Sequence, residues 1–164
     1  MEQAIALATQ AEQIGEVPVG ALVVCDGQII GQGYNQTINS HDPCGHAEII
    51  ALRQAAQTLG NHRLSGCDLY VTLEPCTMCV GALIHARIQR LVYAASEPKA
   101  GAVVSQMQLL KQPYFNHSVQ VISGLMADES GKMLSNFFKQ RRKQHKADKA
   151  NSNTIIDQSK DAVL

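Results

Sequence analysis

The chain has 164 residues, 45% of them hydrophobic, and its 14 Lys and Arg balance 14 Asp and Glu. That length and apolar content suit one domain with a proper core and leave too little chain for two. No run of eighteen apolar residues occurs, and the opening MEQAIALATQAEQ lacks the basic start and apolar block of a signal peptide, so no membrane partner and a cytoplasmic protein are expected. Five cysteines, an odd number spread along the chain, argue against a disulfide framework and for metal ligation or buried thiols. The zero net charge conceals a pole: residues 1 to 60 carry Arg53 against six acidic side chains, whereas KQRRKQHKADK (139 to 149) holds six Lys or Arg against Asp148 alone.

In chain order, residues 2 to 14 place Ile5, Leu7, Ala8, Ala11 and Ile14 near helical spacing, with Gly15 as a C-cap. VGALVVCDGQIIGQGYN predicts two strands joined by Asp26-Gly27, the pair a type I′ hairpin turn favours. From Ala47 to Leu59 the helical period resumes, and GNHRLSG breaks it. DLYVTL (68 to 73) reads as a buried strand, TMCVGALIHARI (77 to 88) as a helix and RLVYAAS (90 to 96) as a strand. A loop around EPKAGA, a short helical stretch near 105 to 111, a strand VQVIS (119 to 123) and a helix from about Met126 into the basic run complete the series. The order α-β-β-α-β-α-β-α-β-α predicts a three-layer α/β/α sandwich, with a mixed five-stranded sheet and helices on both faces. Residues 1–146 form the expected domain; 147–164, polar and aperiodic, are expected to fray.

Two short segments carry reactive chemistry. EPCTMC sets Cys76 and Cys79 at C-x-x-C spacing where a strand gives way to a helix, so both sulfurs face one way and the helix N-terminus favours their thiolates. Alone, that spacing fits a metal half-site, a redox pair or two buried thiols. HAE adds His46 and Glu48 at another helix start, and side chains tilted toward a helix N-terminus can meet an ion lying off that end. His46, Cys76 and Cys79 then make three ligands for Zn²⁺ and leave the fourth tetrahedral position for water, the mark of a catalytic site. Zinc lowers the pKa of that water to about 7, and Glu48 is the group to carry its proton. His-x-Glu followed by Pro-Cys-x-x-Cys is the signature of zinc-dependent nucleobase deaminases.

The neighbouring reactive residues have plainer roles. Cys44 is a small filler of its loop, since a fourth protein ligand would close the zinc. Cys25 and Cys67 are structural thiols that pack like small hydrophobes, His41 and Asp42 brace the turn before Pro43, and one of Phe137 and Phe138 packs into the core because adjacent helical residues face different ways.

With these motifs, EVPVGALVV (16 to 24), GYN (33 to 35), HAEIIALRQAA (46 to 56), LYVTLEPCTMCVGALIHARI (69 to 88), PKAGA (98 to 102) and FFKQRR (137 to 142), the chain resembles the bacterial tRNA-specific adenosine deaminases. The resemblance implies a cytidine-deaminase-like fold, one zinc per subunit on His46, Cys76 and Cys79, and Glu48 as the proton shuttle. It further implies a homodimer bound to a tRNA anticodon stem-loop, converting the wobble adenosine to inosine. Asn35, Val19 and Ala47 would meet the flipped base, and His41, Glu97, Lys99, Arg141 and Arg142 the RNA. The chain departs from the family pattern at Cys44-Gly45, usually a small hydroxyl residue and alanine, at Glu97, usually aspartate, and at the bulkier AVV (102 to 104). Two competing functions remain at this point: a free-base or nucleotide deaminase acting on guanine or cytosine through the same zinc, and a non-catalytic zinc module in which Glu48 is dispensable.

Overall fold

A computed structural model gives the fold; it describes the backbone of residues 1–161 and the side chains of residues 1–149. Ten elements follow one another: α1 (Glu2–Gln13), β1 (Gly20–Cys25), β2 (Gln28–Tyr34), α2 (Ala47–Leu59), β3 (Asp68–Leu73), α3 (Thr77–Ala86), β4 (Arg90–Ala95), a 3₁₀ turn (Leu109–Lys111), β5 (Gln120–Ser123) and α4 (Ala127–Asp161). The five strands make one mixed sheet in the order β2-β1-β3-β4-β5, antiparallel across β2, β1 and β3 and parallel across β3, β4 and β5.

Alternation along the strands divides the two faces. Ala21, Val23, Leu69, Val71, Leu91 and Tyr93 point into the main core with α2 and α3, while Leu22 packs with Tyr34 and Tyr70 against Ala4 and Leu7 of α1. Helix α4 lies beside β4 and β3, where the buried Ser130 hydroxyl donates to the Thr72 carbonyl at 2.5 Å. The three-layer sandwich expected from the sequence is the fold observed.

One contact fixes the active end of the molecule. At Gly31 a Cβ would lie 2.3 Å from the Ala51 carbonyl oxygen, and at Gly33 one would lie 2.5 Å from that of Ala47. Side-chain-free positions on β2 thus let the small-residue face of α2, Ala47, Ala51 and Ala55, close directly onto the sheet. The first turn of α2 is thereby seated beside the end of β2.

Asp26 and Gly27 take φ of 49° and 76° in the hairpin turn, as their identity predicts. Three boundaries differ from the sequence reading by two residues or more. Helix α3 stops at Ala86, because Arg87 turns left-handed (φ 60°) and Ile88 N–H donates back to the Leu83 carbonyl. The helical stretch near 105 to 111 shrinks to the turn Leu109–Lys111, which Pro113 keeps from extending. Helix α4 continues through 147 without a break to Asp161, so the domain edge set at residue 146 coincides with no helix end. The fraying expected of 147–164 falls mainly on side chains outside the described residues.

Candidate active site

Both reactive segments sit where a helix begins. His46 is the N-cap of α2 and Cys76 the N-cap of α3, each with extended backbone (ψ 148° and 174°), and Cys79 lies in the first turn of α3. Three donor atoms meet: His46 Nδ1 is 3.7 Å from Cys76 Sγ and 3.5 Å from Cys79 Sγ, and the two sulfurs are 3.7 Å apart. A tetrahedral zinc, with Zn–S of about 2.3 Å and Zn–N of about 2.0 Å, sets sulfur–sulfur edges of about 3.8 Å and sulfur–nitrogen edges of about 3.5 Å. The triangle therefore matches three corners of that tetrahedron, and among the described residues no fourth His, Cys, Asp or Glu joins the group.

The protonation of these groups follows from their contact. Cys76 is pushed down to about 3 by the hydrogen bond from the Cys79 thiol, with His46 adding to the effect against the cost of burial. The same bond, together with burial, pushes Cys79 up. His46 is raised above the ordinary histidine range, first by its hydrogen bond to Cys76 and also by the nearby Glu48 carboxylate. Without metal the three donors thus share protons, and a bound cation would take the place of those protons. Glu48, 4% exposed, has its carboxyl beside Cys79 and is raised above the usual carboxylate range by burial.

The family model of the MafB19-like deaminases matches residues 1–142. The tRNA-specific adenosine deaminase of Haemophilus influenzae is 48% identical over 96% of this chain and 91% of its own, and that of Bacillus subtilis 43% identical over 92% and 94%. The chain belongs to the tRNA-specific adenosine deaminase family. A solved structure from work on A-to-I editing by tRNA:A34 deaminases, 48% identical, superposes with a TM-score of 0.80 over 82% of this chain and 97% of the other. A guanine deaminase from Nitrosomonas europaea shares the fold at 25% identity and a TM-score of 0.70, covering 83% of this chain and 81% of that one.

In this deaminase the three residues expected at the base form one hydrogen-bonded chain. Asn35 N–H donates to the Val19 carbonyl at 3.1 Å, and Ala47 N–H donates to Asn35 Oδ1 at 2.9 Å. Asn35 thereby satisfies an orphan donor at the start of α2, and the bond fixes its amide so that Oδ1 is committed to protein. Ala47 is fully buried and Val19 nearly so.

The other expected residues lie around the rim. His41 is exposed in a left-handed turn (φ 52°), its Nδ1 on the Ile38 carbonyl, and Asp42 Oδ1 accepts from Cys44 N–H, so both brace the loop. Cys44 stands outside the donor triangle and lines a groove between α2 and α3. Lys99, Arg141 and Arg142 are exposed and Glu97 half-buried. Lys99, Glu97 and Arg142 share a groove of 520 Å³, whereas Arg141 stacks 5.7 Å over the ring of the buried Phe137.

Two buried carboxylates had no role in the sequence reading although EVPVG and TLEPC were both singled out. Glu16 accepts from the Thr37 hydroxyl, the amides of Ile38 and Asn39, and Asn39 Nδ2. Burial acts to raise its pKa, but these bonds from Asn39, Thr37 and Ile38 hold it below the usual carboxylate range. Glu74 does the same for residues 97 to 105, with bonds led by Ser105 outweighing burial. Their partners stand 21 to 31 residues downstream, and nothing local in the sequence marks them.

Proposed function

We propose that this protein deaminates adenosine to inosine at the wobble position of a tRNA anticodon, with zinc as its cofactor. The observation that carries the reading is the triangle of His46, Cys76 and Cys79 at two helix starts with a buried glutamate beside it, in a chain whose relatives bear the name tRNA-specific adenosine deaminase. When bound, the metal supplies activation of the attacking water. Glu48 would take one proton of that water as its oxygen adds to C6 and deliver it to N1 of adenine. It would then take the second proton from the new C6 hydroxyl and pass it to the C6 amino group, so that the C6–N bond breaks, ammonia leaves and the C6 carbonyl of inosine forms. Burial suits Glu48 to this, since it raises the carboxylate's affinity for the proton it must hold between steps. Asn35, its carbonyl tied to α2, keeps its amide for the flipped base.

The base is accessible to such a site only outside a helical stack, which an anticodon loop provides cheaply. Exposed Lys99, Arg141 and Arg142 would meet phosphates, and His41 and Glu97 would flank the loop. These basic side chains favour RNA over free guanine, whose recognition gives a cationic helix no task. A homodimer is the proposed assembly, supported by the groove on the outer side of α2 and α3 lined by Ile49, Leu52, Ala56, Met78 and Ala82; light scattering should return twice the 17.8 kDa of the chain. The cytoplasm, where tRNA resides, is its proposed location, and among the described residues no helix is long and apolar enough to cross a membrane.

The test is inosine formation in an anticodon stem-loop against ammonia release from guanine and cytosine, for wild type and Glu48→Gln. Wild type should edit the stem-loop, and the variant should lose about 10²-fold or more in rate while keeping its zinc. Release of ammonia from guanine with an unedited stem-loop would transfer the protein to the free-base class.

A further inference from the structure

Residues 97 to 105 form neither helix nor strand, yet their backbone converges on one side chain. Glu74 Oε1 accepts from the amides of Val103 (3.2 Å), Val104 (2.7 Å) and Ser105 (2.9 Å), and Oε2 accepts from Glu97 N–H (3.0 Å) and the Ser105 hydroxyl. Glu74 is 2% exposed, so five donors wrap a carboxylate inside the protein. Gly101 completes the wrap: a Cβ there would stand 2.4 Å from the Glu74 carboxyl carbon. Beyond it, Ala102 N–H donates to the Pro75 carbonyl at 2.9 Å, tying the segment to the residue before Cys76.

The held segment faces the active centre. Lys99 and Gly101 line a groove of 340 Å³ together with Cys76, Met78 and Gln106, and on its other side Lys99 shares a groove with Arg142. An apolar side chain would have served as core filler at position 74. A carboxylate saturated by main-chain donors does something different, since it dictates the path of an irregular segment.

We propose that Glu74 is a positioning residue for RNA binding, its carboxylate clamping residues 97 to 105 as the wall of the groove that leads to Cys76. This rests on the anticodon reading of the substrate. The clamp touches neither base nor metal, so its loss raises KM for the stem-loop and leaves kcat and zinc content in place.

The experiment compares Glu74→Gln, Glu74→Ala, Gly101→Ala and the double variant Glu74→Gln/Gly101→Ala. It reads zinc content, stem-loop kinetics and amide exchange. Glu74→Gln keeps the shape and one acceptor, and should raise KM on the order of tenfold with kcat within about twofold and one zinc per chain. Glu74→Ala should raise KM further. The amides of Val103, Val104 and Ser105 should lose protection in each variant while those of β3 keep it. Because both positions serve one tie, the double variant should be no worse than about the worse single one. Unchanged KM in Glu74→Gln and Gly101→Ala, intact loop protection, or losses that track global unfolding would each overturn the clamp. If wild type leaves the stem-loop unedited, the substrate reading fails by itself, and exchange at Val103 to Ser105 still decides whether Glu74 holds the segment.

Discussion

At the scale of single residues, the site turns on which groups hold protons. His46 and Cys79 are both raised by their contact with the Cys76 thiolate, so zinc must displace protons from them to bind. Calorimetry in buffers of different ionisation enthalpy should show about one proton or more released per zinc at pH 7, and affinity falling as pH falls; pH-independent binding would refute the assigned ligand set. Cys44 offers a second test. It lies outside the triangle, so Cys44→Ser should keep one zinc and near-normal turnover, and loss of metal would make it a ligand after all. Glu16 responds to pH in the ordinary direction for a bonded carboxylate. Its folded pKa is depressed, so its stabilisation is complete above the unfolded value of about 4.3 and disappears as pH falls through the folded one. Glu16→Gln should therefore cost about 1–3 kcal/mol at pH 7, and its difference in Tm from wild type should shrink toward pH 3.

At the scale of elements, the helix starts are what the sequence displayed best. Strand β3 keeps the predicted bounds Asp68–Leu73 and α2 begins at Ala47, because alternation of apolar residues and the residues flanking each helix are local signals. His46, Cys76 and Cys79 were legible for the same reason: their spacing within each segment carries the chemistry. The bonds of Glu16 and Glu74 were illegible, because each joins a side chain to backbone amides of a distant loop, and any residue supplies an amide. The close seating of α2 was equally hidden, since nothing local marks Gly31 and Gly33 of β2 as the positions that α2 approaches. Gly33→Ala tests it: a Cβ 2.5 Å from the Ala47 carbonyl must push away the turn that bears His46 and Glu48. A loss of about 1–3 kcal/mol in denaturant unfolding is expected, accompanied by weaker zinc binding. Normal zinc affinity in a destabilised variant would separate the packing of α2 from the site.

At the scale of the whole molecule, a chain of zero net charge is polarised by sequence position, with acidic residues prevailing in its first sixty and Lys and Arg concentrated on α4. Arg142 opens onto the groove that Lys99 also lines, whereas Arg141 is held over Phe137, which spends less rotamer freedom when it meets a partner. Both guanidinium groups sit on a helix packed against β3 and β4, so the strands that end at the candidate site also fix the distance from the triangle of His46, Cys76 and Cys79 to the cations. Phosphate contacts of this kind add affinity without reading sequence, and each contact removed should lower the slope of log K against log salt by about 0.7 to 0.9. Arg141→Gln/Arg142→Gln should therefore bind the stem-loop more weakly at low salt, approach wild type as salt rises, and leave kcat at saturating RNA within about twofold. A slope equal to that of wild type would mean that α4 is a solvated helix whose charges the RNA never meets.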